Sequence, residues 1–126
     1  LVCQYALWGK ICFPKIIVTR AFAKGKFPIL DFPIQRLSLA REAFPNRLFV
    51  VYIAPPSLAD LKTRLDKDSR DTNGDRLNAA RTELSAFRRG QYNGIFDFKV
   101  TNETDQVPDI AKFIYESYLK SVERSA

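Results

Sequence analysis

Apolar positions along this chain follow two rhythms, one of helices and one of buried strands. Leu48-Phe-Val-Val-Tyr-Ile53 is an unbroken apolar run. Such a run suits a strand covered on both faces, and it predicts a strand over 47–54. Pro55-Pro56 breaks it, and Ser57 is a good N-cap for a helix with Leu58, Leu61 and Leu65 on one face. Arg76 to Arg89 returns to the helical period, with Leu77, Ala80, Leu84 and Phe87 inward. Between these helices, residues 66–75 form a charged stretch without apolar residues and predict a loop. Phe96 to Val100 predicts another strand. A last helix is predicted over 108–122, burying Ile110, Phe113, Ile114 and Tyr118.

The first half is less regular. Leu1 to Lys10 show no strong period. Pro14 suits a first helical turn, and Lys15 to Lys24 predict a short helix ended by Gly25. Phe27 to Asp31 predict a short buried strand ending in an acid. Ile34 to Phe44 predict a helix with Leu37, Ala40 and Phe44 on one stripe, stopped at Pro45-Asn46. Strands thus alternate with helices and no Asn-Gly turn joins two strands, which implies a parallel sheet in a three-layer α/β arrangement. Ligand chemistry then belongs at the C-terminal ends of the strands, at Asp31, Ala54 and Asn102. No repeat or linker divides the chain, so 1–126 reads as a single domain.

Composition narrows the chemistry. The chain has 126 residues, 46% hydrophobic and 27% charged, within the range of a globular protein able to bury a core. It contains no histidine, which excludes Ser-His-Asp and Cys-His nucleophiles and the common zinc catalytic sites. Cys3 and Cys12 are too few for a zinc site or a disulfide framework, so no metal ligands are assigned and a reducing, cytoplasmic setting is expected. No apolar run reaches bilayer-spanning length and no signal-peptide pattern opens the chain, so no membrane partner is expected. The absence of Met marks a processed, truncated or excerpted sequence, and an excerpt is the expectation. The net charge of +6, with pI near 9.5, suits anionic ligands. The basic residues are scattered, which argues against dedicated nucleic-acid binding.

Three stretches together carry a resemblance. Ile53-Ala-Pro-Pro-Ser57 follows an apolar strand and continues through Leu58 and Leu61 to Arg64-Leu65. Arg76-Leu-Asn-Ala-Ala-Arg-Thr-Glu-Leu84 matches an Arg-Leu-x-x-Ala-x-x-Glu-Leu helix. Phe96-Asp-Phe-Lys-Val-Thr-Asn102 matches a Tyr-Asp-Tyr-x-Val-x-Asn strand. Gly25-Lys26, Ile29-Leu30-Asp31 and Gln35 add a weaker fourth match. In this order, residues 27–119 resemble the C-terminal two-thirds of a guanylate-kinase domain, a P-loop nucleoside monophosphate kinase fold that transfers the γ-phosphoryl of ATP to GMP with Mg²⁺. Such transfer rests on positioning and charge neutralisation. The resemblance implies that Arg76 grips transferring phosphates, that Asn102 hydrogen-bonds the adenine edge and that Asp31 sits near the metal and acceptor site. Each also has a plain structural reading: a solvated helix-start arginine, an Asx turn at Asn102, a turn cap at Asp31, while Glu83 and Arg64 read as surface partners rather than catalytic groups.

The departures are specific. No Gly-rich Walker loop ending in Lys-Ser or Lys-Thr is present, so the expected sheet lacks its N-terminal P-loop strand. Either a larger chain supplies that strand, or 27–31 and 47–53 pair directly. Gln4-Tyr5-Ala6 aligns with a Glu-aromatic-Ala stretch that reads guanine, with Gln4 in place of the acid. Leu7-Trp8-Gly9-Lys10 aligns with Tyr-Gly-Thr-Ser. Pro33 stands where a second acid is expected and Arg36 where a glycine is. The lid-like loop 66–75 is short, and Arg70 is its only arginine. Two functions follow. One is a guanylate-kinase-like domain with GMP and ATP as substrates, incomplete or impaired in this chain, for which ATP and Mg²⁺ are expected only in a complete parent domain. The other is a catalytically inactive domain that binds a protein partner through the former nucleotide cleft.

Overall fold

The computed structural model describes residues 2–6, 9–13 and 15–125. It falls into two compact units, Leu1–Leu48 and Phe49–Ala126. In the first, strands β1 (Val2–Ala6) and β2 (Gly9–Phe13) pair antiparallel, with Gln4 opposite Ile11 and Cys3 opposite Cys12. This hairpin was not expected. Five-residue strands of mixed polarity hold too few alternations to mark a period of two. Helix α1 (Lys15–Ala23) follows as the apolar spacing predicts. Gly25, at φ +67°, ends it: its N–H donates to the Phe22 carbonyl at 3.0 Å and that of Lys26 to the Ala21 carbonyl at 2.9 Å. That is the left-handed C-terminal turn which glycine adopts without steric cost. Pro14, expected in the first helical turn, lies outside the described residues.

The strand expected over 27–31 does not form. Pro28 and Pro33 offer no amide to a ladder, and Phe27 and Ile29 stand 71% and 98% exposed. Of the two alternatives, direct pairing of 27–31 with 47–53 is therefore absent among the described residues. A 3-10 turn (Ile34–Arg36) leads into α2 (Leu37–Ala43); Leu37, Ala40 and Phe44 are buried on the predicted stripe, and Ile34 is buried as well. The Phe22 ring meets Phe44 edge-on at 6.0 Å, and the Arg47 guanidinium lies 5.5 Å from the Phe22 ring centre.

The second unit is a mixed α/β arrangement around a short parallel pair. It comprises β3 (Val51–Ala54), α3 (Leu58–Lys67), α4 (Asp75–Arg88), β4 (Phe98–Thr101) and α5 (Val107–Ser125). Strands β3 and β4 run parallel, in register from Val51 opposite Phe98 to Ala54 opposite Thr101. Strand β3 is shorter than the apolar run that predicts it, and β4 starts two residues after the predicted Phe96 and ends one after Val100. Beyond the ladder, the Asp97 carboxylate accepts from the Val50 amide at 2.7 Å, and the Asn102 amide donates to the Ala54 carbonyl at 2.7 Å.

Successive strand residues face opposite ways, and the aromatic contacts follow that alternation. On one side Tyr52 stacks on Phe87 of α4 at 5.1 Å and meets Phe96 at 5.2 Å, with the Lys99 ammonium 4.5 Å over the Phe87 ring. On the other, Phe98 meets Phe113 of α5 at 5.1 Å and Phe49 meets Tyr118 at 5.8 Å. Phe113 nevertheless remains 55% exposed, against the expectation that it is buried. Ala54, Ala86, Tyr92 and Val100 are the most buried apolar residues of this unit among those described.

Candidate functional site

The C-terminal end of the parallel pair is where chain geometry concentrates polar groups. Strand β3 stops at Ala54, Pro55-Pro56 turns the chain, and Ser57 caps α3 by accepting from the Asp60 amide at 3.0 Å. Two turns into α3, the Arg64 side chain reaches back and its Nη2 donates to the Asn102 carbonyl at 2.8 Å. Arg64, Lys67, Asp68, Asn102 and Val107 line an open recess of about 300 Å³ there. Two cations, a carboxylate and a primary amide therefore border one recess at the strand end, as suits a ligand carrying both a hydrogen-bonding edge and negative charge.

Asn102 sits where the sequence places it, directly after β4 and half-buried. Arg64 is the residue that sequence reasoning set aside as a surface partner. Its signal was present: on α3, residues 58, 61, 64 and 65 are the less exposed ones, so Arg64 shares the stripe of the three leucines. A cation on an apolar stripe is uncommon unless it has a partner, and the Asn102 carbonyl is that partner. Glu83 was likewise expected to be a surface partner, yet it is half-buried and accepts from the Tyr52 hydroxyl at 3.1 Å. Burial first, then the neighbouring Glu83 carboxylate, push the Tyr52 hydroxyl well above its usual pKa.

The expected loop 66–75 is narrower than its charge pattern suggests. Asp66 and Lys67 continue α3, supported by the i,i+4 ion pair of Lys62 with Asp66 at 2.5 Å, and Asp75 opens α4. Arg70 is exposed in the remaining loop, with its Nε 3.7 Å from the Asp68 carboxylate. Arg76 lies in the first turn of α4, half-buried, and its Nε is withdrawn from solvent. Its backbone amide and that of Leu77 donate to the two carboxylate oxygens of Asp71, at 2.9 and 3.0 Å. Arg76 does not line the recess that holds Asn102.

In the first unit, Asp31 is exposed in the irregular segment after residue 30, and Pro33 precedes the 3-10 turn that begins α2. Gln4 occupies the middle of β1. The expected replacements at Leu7 and Trp8 fall outside the described residues. No group of three or more acidic or cysteine side chains that could hold a metal occurs among the described residues. No helix among them is long and apolar enough to cross a membrane.

Comparison with known proteins gives a consistent likeness. No protein-family model matches the chain. The guanylate kinase of Anaeromyxobacter dehalogenans is 36% identical over 89 residues, covering 68% of this chain and 37% of that protein. That of Desulfitobacterium hafniense is 28% identical over 110 residues, covering 83% and 52%. That of Bacillus subtilis is 30% identical over 93 residues, covering 71% and 42%. The chain thus spans between about a third and a half of the length of these curated relatives. With the parallel strand pair and the three matching motifs, this likeness identifies a guanylate-kinase-like domain over part of this chain.

Proposed function

We propose that this chain is the portion of a guanylate-kinase-like domain that holds the adenine of ATP and meets its phosphates. The whole domain's activity is ATP-dependent phosphorylation of GMP to GDP, incomplete or impaired in this chain. The fold of that domain is a three-layer parallel sheet of the P-loop nucleoside monophosphate kinase type, here without its P-loop strand. The observation that carries the reading is the Arg64–Asn102 contact at the C-terminal end of a parallel pair, bordering a recess of about 300 Å³. With its carbonyl held by Arg64, Asn102 is fixed at its backbone and its side-chain amide can offer one donor and one acceptor to a purine edge. Arg76 supplies permanent charge and a planar donor fork for phosphate, and Arg70 a second charge from the loop. Asp31 and Gln4 belong to the acceptor side, toward GMP.

Isothermal titration of the whole chain with ATP, and a coupled ADP-release assay with ATP and GMP, test this. Arg76→Ala is expected to weaken ATP binding at least about tenfold, as loss of a charged phosphate contact does. A folded chain with no measurable affinity for ATP or GMP would remove the reading. The second reading, an inactive domain that binds a protein through the same cleft, would then stand. It is favoured by Pro33 at the position of the expected second acid and by the exposure of Asp31.

A further inference from the structure

Helix α4 begins without a side chain at its N-cap. That position is Gly74, at φ +76°, and glycine there leaves the first amides of the helix unserved. Asp71, three residues upstream, serves them instead: its two carboxylate oxygens accept separately from the Arg76 and Leu77 amides. The same residue's carbonyl accepts from the Gly74 amide at 3.2 Å, and the Gly74 carbonyl accepts from Asn78 at 3.0 Å. Residues 71–74 are therefore a closed turn fastened to the helix start from both backbone and side chain.

Two consequences follow for Arg76. A carboxylate already lies on the helix-start amides, so an incoming phosphate meets negative charge there, and its grip has to come from the Arg76 side chain. And the amide of Arg76 is one of the two groups that Asp71 holds, so the root of that side chain is tied to the turn. We infer that Asp71 is a positioning residue for Arg76, fixing the start of α4 so that the guanidinium is presented to phosphate in one place. The inference rests on the proposed phosphate-facing role of Arg76 and adds a residue to it.

A double-mutant cycle on the whole chain, read by titration with ATP, separates the two ideas. In the parent chain Asp71→Ala is expected to weaken ATP binding about fivefold, the scale of a lost helix cap. In the Arg76→Ala background the same change is expected to have no effect, because there is no guanidinium left to place. Asp71→Asn, which keeps one acceptor oxygen, is expected to recover part of the affinity. Amide hydrogen exchange at Arg76 and Leu77 should speed up in Asp71→Ala while the Val51–Ala54 amides stay protected. Equal losses in both backgrounds would make Asp71 merely structural and overturn the inference while leaving the nucleotide reading intact. Tighter ATP binding in Asp71→Ala would also overturn it, by showing the carboxylate to be a competitor of phosphate. If Arg76→Ala alone leaves ATP affinity unchanged, or the parent chain binds no ATP, the underlying reading fails and the inference with it.

Discussion

Tyr52 shows how one side chain ties the second unit together. Its ring meets both Phe87 and Phe96, which also stack on each other at 5.5 Å, and its hydroxyl donates to Glu83. Because the folded state holds the phenol neutral above its usual range, the native chain keeps this proton after the unfolded chain has lost it. The stabilisation is fully present below pH about 10, the unfolded value, and is lost as pH rises from there through the folded value. Urea unfolding between pH 8 and 11.5 should show stability declining above pH about 10, and Tyr52→Phe should flatten that decline. An unchanged slope in the variant would mean that Tyr52 is not its source. Arg64 makes a second residue-scale case. Arg64→Ala removes a hydrogen bond from a charged donor to the Asn102 carbonyl, which costs about 1.5–3 kcal/mol where the site is shielded and less here because it is half-exposed. Arg64→Lys should recover little, since an ammonium has no planar fork to reach the same oxygen.

At the scale of elements, helices and strands differ in how local their causes are. Helix α3 begins where Ser57 can cap it, and α1 ends where Gly25 can turn left-handed; both signals sit within a few residues of the boundary. Ser57→Ala should therefore cost about 1 kcal/mol, measured by denaturant midpoint at unchanged slope. A loss near zero would show that the Asp60 amide finds water equally well. Strands have no such local stop. The run from Leu48 to Ala54 is apolar throughout, yet only Val51–Ala54 is strand, because β4 offers a ladder only from Phe98 to Thr101. Residues 27–31 carry the composition of a strand and form none, because Pro28 has no amide for a ladder and Phe27 and Ile29 stand exposed. Tyr92 is buried in the turn-rich segment after α4, where no periodicity could point to it.

For the whole molecule the net charge is unevenly shared. Residues 1–48 contain eight Lys and Arg against two Asp and Glu, which is the full +6, whereas residues 49–126 contain twelve of each and balance. Scattered along the sequence, these charges suggested no patch; divided by unit, they make the first one the anion-attracting half. Paired reversal of Arg20 and Lys24 to Glu should slow ATP association several-fold at low salt, and the effect should fade as ionic strength shortens the Debye length to about 3–4 Å near 1 M. The same reversal at Lys112 and Lys120, in the balanced half, should change the rate much less. Equal effects from both pairs would deny the first unit a steering role.

The sequence by itself determined the five helices, their order, the chemistry excluded by the lack of histidine and the likeness to guanylate kinases. Each of these depends on residue type and near-neighbour spacing. Only the tertiary structure decided which residues meet. It joined Arg64 to Asn102 across 38 positions and Tyr52 to Glu83 across 31, paired β3 with β4 while forming no strand over 27–31, and set Asp71 on the start of α4. The physical reason is that a hydrogen bond between distant residues depends on where the backbone carries them, and a run of side-chain types holds no record of that distance.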